Sequence, residues 1–277
     1  MGSSHPDADL HPRATAAAAK IVSEHENNGE PLVLYSGWFC PFVQRAWVTL
    51  EEKGIPYQYQ EINPYHKDPE FLKLNPRGLV PTLGCPQQDG DTKPLIESNV
   101  ICEYLDETYK DHPLYPTNTF DKAKMKISID YVGTRIIPAF HRFLQHTEKS
   151  PYSIEDARKE FLNTLITWIK DASPEGPFFA GKELQMVDIA MAPWAVRLWI
   201  FDHFKAGGLG IPEKGQGGED EELWERWRTW SQAVEERPSI ANTLSEKEHY
   251  LPIYQRYAED RAQSELAKAT RQGRGVP

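Results

Sequence analysis

The periodicity of this chain changes once. Through about residue 112, short apolar runs alternate with helical stretches and clusters of Gly and Pro; beyond residue 120 almost every pattern repeats at helical spacing. Strand-bearing and purely helical segments bury their apolar faces in different layers. The single switch near residue 115 therefore predicts an α/β domain followed by an all-α helical domain. A chain of 277 residues is long enough for two such cores. The expected divisions are an N-terminal flexible arm over 1–30, the α/β domain over 31–112, a linker over 113–120 carrying Pro113 and Pro116, the helical domain over 121–257 and a charged tail over 258–277.

Residues 32–35 and 57–62 read as strands on either side of a helix, a βαβ unit and hence a parallel pair. Residues 67–71 and 75–78 are crowded with breakers and read as irregular. Residues 79–83 form a short strand entered through Pro81, which has no N–H to give to a ladder. Residues 94–97 form the next strand, joined as a hairpin across the turn at 88–91. Ser98 reads as the N-cap of a helix over 99–109, with Val100, Ile101, Tyr104 and Leu105 as its buried stripe. In the second domain, Met125, Ile129, Val132, Ile136 and Phe140 mark a helix over 121–147 with a kink at Pro138. Ser153 opens a helix over 153–171. Residues 188–205 are apolar on nearly every face and should be the buried central helix. A Gly-rich loop at 207–218 follows, and then a helix over 219–236 carrying Trp224, Trp227 and Trp230.

The first thirty residues are polar, contain an Ala-rich run, and lack the apolar region of a secretory signal, so they are expected to be disordered. The tail is expected to fray. A net charge of −10, with no Lys/Arg block interleaved with aromatics, argues against nucleic acid or an anionic membrane as partner. No run reaches the length of a membrane span. Three cysteines, Cys40, Cys85 and Cys102, are too few and odd in number for a disulfide framework, which points to a reducing, cytoplasmic setting. Cys85 and Cys102 read as small core hydrophobes.

Cys40 reads differently. It stands where the apolar run at 32–35 gives way to a helix whose buried face is Val43, Ala46, Trp47 and Leu50, with Pro41 at the first helical position and Gly54 as the stop. Cys40 thus lies at or next to the N-cap, where unpaired backbone N–H groups and the helix dipole favour an anion. A thiol so placed can have its pKa lowered to about 3.5–7.5. Two readings follow: a reactive thiolate, or a small capping residue that happens to be Cys. Val43 occupies the place of the second cysteine in a C-x-x-C pair. Any redox chemistry must take its second thiol from elsewhere.

Three segments in order carry a resemblance: Cys40-Pro41-Phe42, the run from Asn75 through Gly78-Leu79-Val80-Pro81 to Leu83, and Glu97-Ser98 onward to Glu107. They resemble the N-terminal domain of glutathione transferases, and in particular the omega class, which has a cysteine where most classes use Tyr or Ser. Residues 36–45 and 51–57 look most like fungal omega-type members. The resemblance, spanning about residues 31–250, implies a thioredoxin-like domain with a cis bond at Val80-Pro81, followed by the all-helical domain. It implies glutathione as cosubstrate and no metal. Cys40 would form a mixed disulfide with glutathione, and the Val80 backbone, between Leu79 and Pro81, would pair with the tripeptide main chain. Glu97 and Ser98 would hold the γ-glutamyl end, Lys67 the glycyl end, and Phe42 would pack beside the tripeptide; a solvated lysine, plain core packing and an ordinary capping arrangement are the alternatives for Lys67, Phe42 and Glu97-Ser98.

In the second domain, Gln185 stands where the family has a capping Ser or Thr, and Asp188 keeps its place in a structural role. By the resemblance, Arg197 would face a site for small hydrophobic or aromatic acceptors, with Tyr131 and Trp199 as candidate walls; His249 stands where the family has an aromatic residue, and its alternative reading is an exposed polar residue on the last helix. The implied activity is glutathione-dependent thiol transfer and reduction, including deglutathionylation and dehydroascorbate-type reduction, by a detoxifying homodimer. The competing reading is a non-catalytic carrier (ligandin) that holds aromatic or polyphenolic compounds in an interdomain or dimer-interface cleft.

Overall fold

The computed structural model describes residues 10–66 and 68–277. The chain forms two compact units. The first takes residues up to Pro113 together with Arg237–Tyr250, and the second takes Leu114–Glu236 with Leu251–Pro277.

In the first unit four strands, β1 (Val33–Ser36), β2 (Gln58–Glu61), β3 (Thr82–Pro86) and β4 (Thr92–Leu95), form a sheet in the order β2-β1-β3-β4. β1 and β2 run parallel, with Val33 opposite Gln58 and Ser36 opposite Glu61. β3 lies antiparallel to both β1 and β4. The helices are α1 (Ala16–His25), α2 (Pro41–Lys53), α3 (Pro69–Leu74) and α4 (Ser98–Thr108).

α2 is the crossover of the βαβ unit. Pro41 opens it, and Gly54, at φ 61°, closes it in the left-handed conformation that costs a side chain most. Val43, Ala46, Trp47 and Leu50 are fully buried. At about 1.5–3 kcal/mol for each large apolar side chain, that face outweighs the helix's intrinsic propensity. α2 packs against α4.

Several elements differ from expectation. β3 starts at Thr82, so residues 79–81 run as a loop into the strand. The breaker-rich stretch forms α3, because the Asp68 side chain accepts from the N–H groups of Glu70 (2.7 Å) and Phe71 (3.4 Å) while Phe71 is buried. The residue capping α4 is Glu97, at φ 71°, and Ser98 is the first helical residue. Val100 is 51 % exposed, and the buried face of α4 is Ile101, Cys102 and Leu105. Of the arm expected to be disordered, residues 1–9 lie outside the described residues, but the rest contains α1, whose Ala18, Ile21 and Val22 are buried and which lies against β2.

The second unit is helical, as the periodicity predicts. α5 (Thr119–Tyr131) and α6 (Ile137–Leu144) are joined by a π-helical stretch at Val132–Ile136. This is how the chain absorbs Pro138, which has no N–H to continue the ladder. α7 (Ile154–Ile169) starts at Ser153, whose hydroxyl accepts from Asp156 N–H at 3.0 Å. The expected central helix is two pieces, α8 (Met186–Ala195), buried at every position, and α9 (Trp199–Phe204), with the ladder tightened between them by Arg197 N–H to Trp194 O and Leu198 N–H to Ala195 O. α10 (Glu221–Glu236) sets Trp224, Trp227 and Trp230 in the core. The chain continues through α11 (Pro238–Ala241), α12 (Lys247–Ala258) and α13 (Glu265–Arg271). α13 falls in the tail expected to fray; it is capped by Ser264 and buries Ala267 and Ala269.

Asp188 organises the start of α8. Its carboxylate accepts from Phe179 N–H (2.8 Å), Gln185 N–H (2.8 Å) and the Trp230 indole (2.7 Å). Asp188 thus supplies the arm of the cap that holds the Gln185 backbone. Among the described residues no helix is long and apolar enough to cross a membrane.

Candidate functional site

Three loops of the first unit converge on Cys40. It is the N-cap of α2, half-buried, with φ −77° and ψ 122°. Its N–H closes a tight turn onto Gly37 O (2.8 Å), and its carbonyl accepts from Gln44 N–H (3.0 Å). Sγ lies 4.0 Å from Val80 O. The Val80-Pro81 peptide bond is cis. The turn is close-fitting: a Cβ on Gly37 would come within 3.4 Å of Ile62 O and the Val80 side chain.

The loop bearing Val80 is pinned from beneath by Asn75, which is 4 % exposed. Its amide donates to Leu79 O (3.1 Å) and Thr82 Oγ1 (2.9 Å), and its oxygen accepts from Arg77 N–H (3.1 Å). Arg77 reaches Glu97 at the third loop (Nη1 to Oε1, 3.2 Å). Glu97 is exposed, and Ser98 beside it is buried. A non-glycine residue held at φ 71° is a strained position of the kind that collects at binding sites.

Arg45 joins the first and third loops. It is 2 % exposed, donates to Ser98 Oγ (3.3 Å) and lies over the Phe42 ring at 5.6 Å. Burial pulls its guanidinium down to about 10, while the charges available on Cys102 and Cys40 pull it back up. That attraction is mutual, so the buried cation favours an anion at Cys40. Burial pushes the Cys102 thiol up to about 11 and raises Cys85 as well. Neither is a thiolate at neutral pH, and both are core residues, as predicted. None of the three cysteines is in a disulfide.

Cys40, Phe42, Leu79, Val80, Pro81, Glu97 and Ser98 are thus brought together in the first unit. Lys67 lies outside the described residues. Sequence reasoning missed Arg45, Asn75 and Arg77. Arg45 had a signal: a charge set among consecutive buried positions of α2. The other two act through contacts between loops, which leave no periodic trace.

The acceptor candidates are divided. Tyr131 and Trp199 belong to the second unit and are half-buried. Arg197 is 1 % exposed, and its Nη1 donates to Pro193 O at 2.6 Å, which turns that nitrogen back onto α8. His249 belongs to the first unit, where its ring lies on that of His11 with centroids 4.0 Å apart. Trp194, Trp224, Trp227 and Trp230 are all core residues of the second unit.

Residues 39–108 match the family model for the glutathione S-transferase N-terminal domain, and residues 151–233 match that for the C-terminal domain. The pig (Sus scrofa) glutathione S-transferase omega-1 is 35 % identical over 169 residues, which is 60 % of this chain and 66 % of the pig protein. The match thus covers just under two thirds of that relative. The rice (Oryza sativa subsp. japonica) protein "Probable glutathione S-transferase DHAR1, cytosolic" is 30 % identical over 76 % of this chain and 87 % of its own length. The crystal structure of glutathione transferase Omega 3C from Trametes versicolor superposes with a TM-score of 0.75 at 39 % identity, covering 91 % of this chain and 100 % of that one.

Proposed function

The chain belongs to the glutathione transferase family, and we propose that it acts as an omega-type member: a glutathione-dependent thiol transferase and reductase whose working group is Cys40. The observation that carries this reading is Cys40 itself, half-buried at the start of α2, beside a buried guanidinium, with Val43 where a second thiol would be needed. A hydroxyl in that place could only polarise a bound glutathione. A thiolate can attack sulfur.

In the first step the Cys40 thiolate attacks the glutathione sulfur of a glutathionylated substrate. The substrate's S–S bond breaks, a Cys40–glutathione disulfide forms, and the substrate leaves as a thiolate that takes a proton from water. In the second step a free glutathione thiolate attacks the bound glutathione sulfur. Glutathione disulfide leaves and the Cys40 thiolate returns. Reduction of dehydroascorbate fits the same site, with two glutathione molecules supplying the electron pair.

The bound tripeptide would lie along the loop at Leu79-Val80-Pro81, where the Val80 main chain offers strand-like pairing. Its γ-glutamyl ammonium would meet Glu97, and its α-carboxylate the N-terminus of α4 at Ser98. Phe42 would pack beside it, and Lys67 would reach its glycyl end. Acceptors would be small hydrophobic or aromatic molecules. We propose a homodimer working in the cytoplasm, in keeping with the family's pattern and with three cysteines outside any disulfide. A carrier would need aromatic side chains open to its ligand, and of the second unit's Trp194, Trp199, Trp224, Trp227 and Trp230 all but Trp199 are buried in the core.

Intact mass after incubation with oxidised glutathione at pH 6 tests the proposal. One adduct on the wild type and none on Cys40→Ser is the expected result. No adduct on either would leave Cys40 as a cap and sink the transferase reading.

A further inference from the structure

The turn that presents Cys40 is gripped from outside by a group that the thiol chemistry does not use. β1 and β2 end side by side, with Ser36 opposite Glu61 and Ile62 N–H donating to Ser36 O at 2.6 Å. From there β1 runs into Gly37-Trp38-Phe39-Cys40. The Glu61 side chain reaches across and accepts from the backbone N–H of Trp38 at 3.0 Å, two residues before the thiol. Its other oxygen accepts from the Tyr59 hydroxyl at 2.7 Å. The rest of Trp38 is fixed as well. It is 2 % exposed, its indole donates to His11 O (2.8 Å), and its ring meets Phe39 and Tyr250 edge-on at 5.7 and 5.0 Å.

We propose that Glu61 is a positioning residue for Cys40: its carboxylate, holding the Trp38 amide, sets the turn that presents the thiol, so Cys40 reactivity carries a second ionisation besides its own. This rests on the reading of Cys40 as the reactive group.

The chemistry of the grip gives the direction. As a carboxylate, Glu61 accepts from two donors with charge assistance, which roughly doubles the strength of each bond. When it is protonated, one oxygen becomes a donor, the Trp38 bond loses that assistance, and the turn loosens. Burial pushes this carboxyl up from 4.5 to about 7. Its neighbours then adjust it: Tyr59 and the Trp38 amide pull it down, Glu26 at the end of α1 raises it, and Arg13 of the arm lowers it. Arg13 and Glu26 pair with each other at 3.6 Å. The two states therefore exchange where a cytoplasmic thiol works.

The test is the rate of Cys40 alkylation by iodoacetamide across pH 5 to 9, read by peptide mass in the full chain, for wild type, Glu61→Gln and Tyr59→Phe. Glutamine keeps an acceptor for the Trp38 amide but never ionises. The wild-type profile is expected to need two ionisations and the glutamine profile one, with the plateau above pH 8 lowered by about fivefold, the scale of one lost charge assistance. Tyr59→Phe keeps the Trp38 grip but removes a donor to the carboxylate, so it should move the second midpoint upward; a merely structural residue would not. Superimposable wild-type and glutamine profiles, each with one ionisation, would overturn the inference and leave the transferase reading standing. Should the glutamine variant fail to fold, an unmoved second midpoint in Tyr59→Phe overturns it equally. A wild-type Cys40 that does not react at any pH would overturn both readings.

Discussion

Arg45 and His141 are both buried ionisable residues, yet they stand in opposite relation to their surroundings. Arg45 keeps its charge: burial pulls its pKa only to about 10, and Ser98 and the face of Phe42 offset part of the lost water. His141, on α6, is packed beside Phe140 and Tyr257, at 5.2 and 5.3 Å between ring centroids, and among the described residues neither of its nitrogens has a hydrogen-bond partner. Burial drags its pKa from 6.5 down to about 3. The unfolded chain therefore takes up a proton that the folded chain refuses. The neutral ring's contribution is whole above about pH 6.5 and is lost as the pH falls toward 3. His141→Phe removes that loss. Measured by urea unfolding, the variant's stability relative to wild type should be about 2 kcal/mol more favourable at pH 5 than at pH 8. An equal difference at both pH values would show that His141 protonates freely in the folded chain.

Among the elements, α2 and α7 were legible because their signals are local. Pro41, Gly54 and Ser153 mark termini by backbone chemistry, and the apolar positions between them repeat at the helical period. α1 was not legible. Ten residues with an Ala-rich start and two aliphatics make a marginal helix by themselves. What orders α1 lies far away in sequence: Thr15 N–H bonds Ser245 Oγ (3.0 Å), Ala18 N–H bonds Leu244 O (3.4 Å), and His25 stacks on Tyr57 at 4.0 Å. The helix is thus a packed part of the first unit. Ile21→Ala should lower the stability of the full chain by about 2–4 kcal/mol, read from the urea midpoint, and expose the segment before β1 to limited proteolysis. A change below about 0.5 kcal/mol would mean that α1 is a loosely tethered strap.

At the scale of the molecule, the first unit is discontinuous. Residues 237–250 return to it: Gln44 donates to Thr243 Oγ1 (2.9 Å), Arg237 pairs with Glu52, the Ser239 hydroxyl donates to the same carboxylate (2.6 Å), and Ile240 is fully buried. A fragment of residues 1–113 should therefore bind hydrophobic dyes and unfold without cooperativity, and joining residues 237–250 to it by a flexible linker should restore a cooperative transition in circular dichroism. Full cooperativity in the bare fragment would show that the returning segment adds little. Apart from the loops that meet Cys40, which only the family resemblance implied, the sequence alone determined the α/β-to-α order, the βαβ unit and the position of Cys40 at a helix start. Those features are written in periodicity, in capping residues and in prolines that cannot donate, all of which act within a few residues. Tertiary structure alone decided that Arg45 would lie buried beside the thiol, that Glu61 would hold the turn before it, and that α1 and residues 237–250 would complete the first unit. Each of those depends on contacts between groups distant in the chain, whose energies come from burial and hydrogen bonding that no local pattern records.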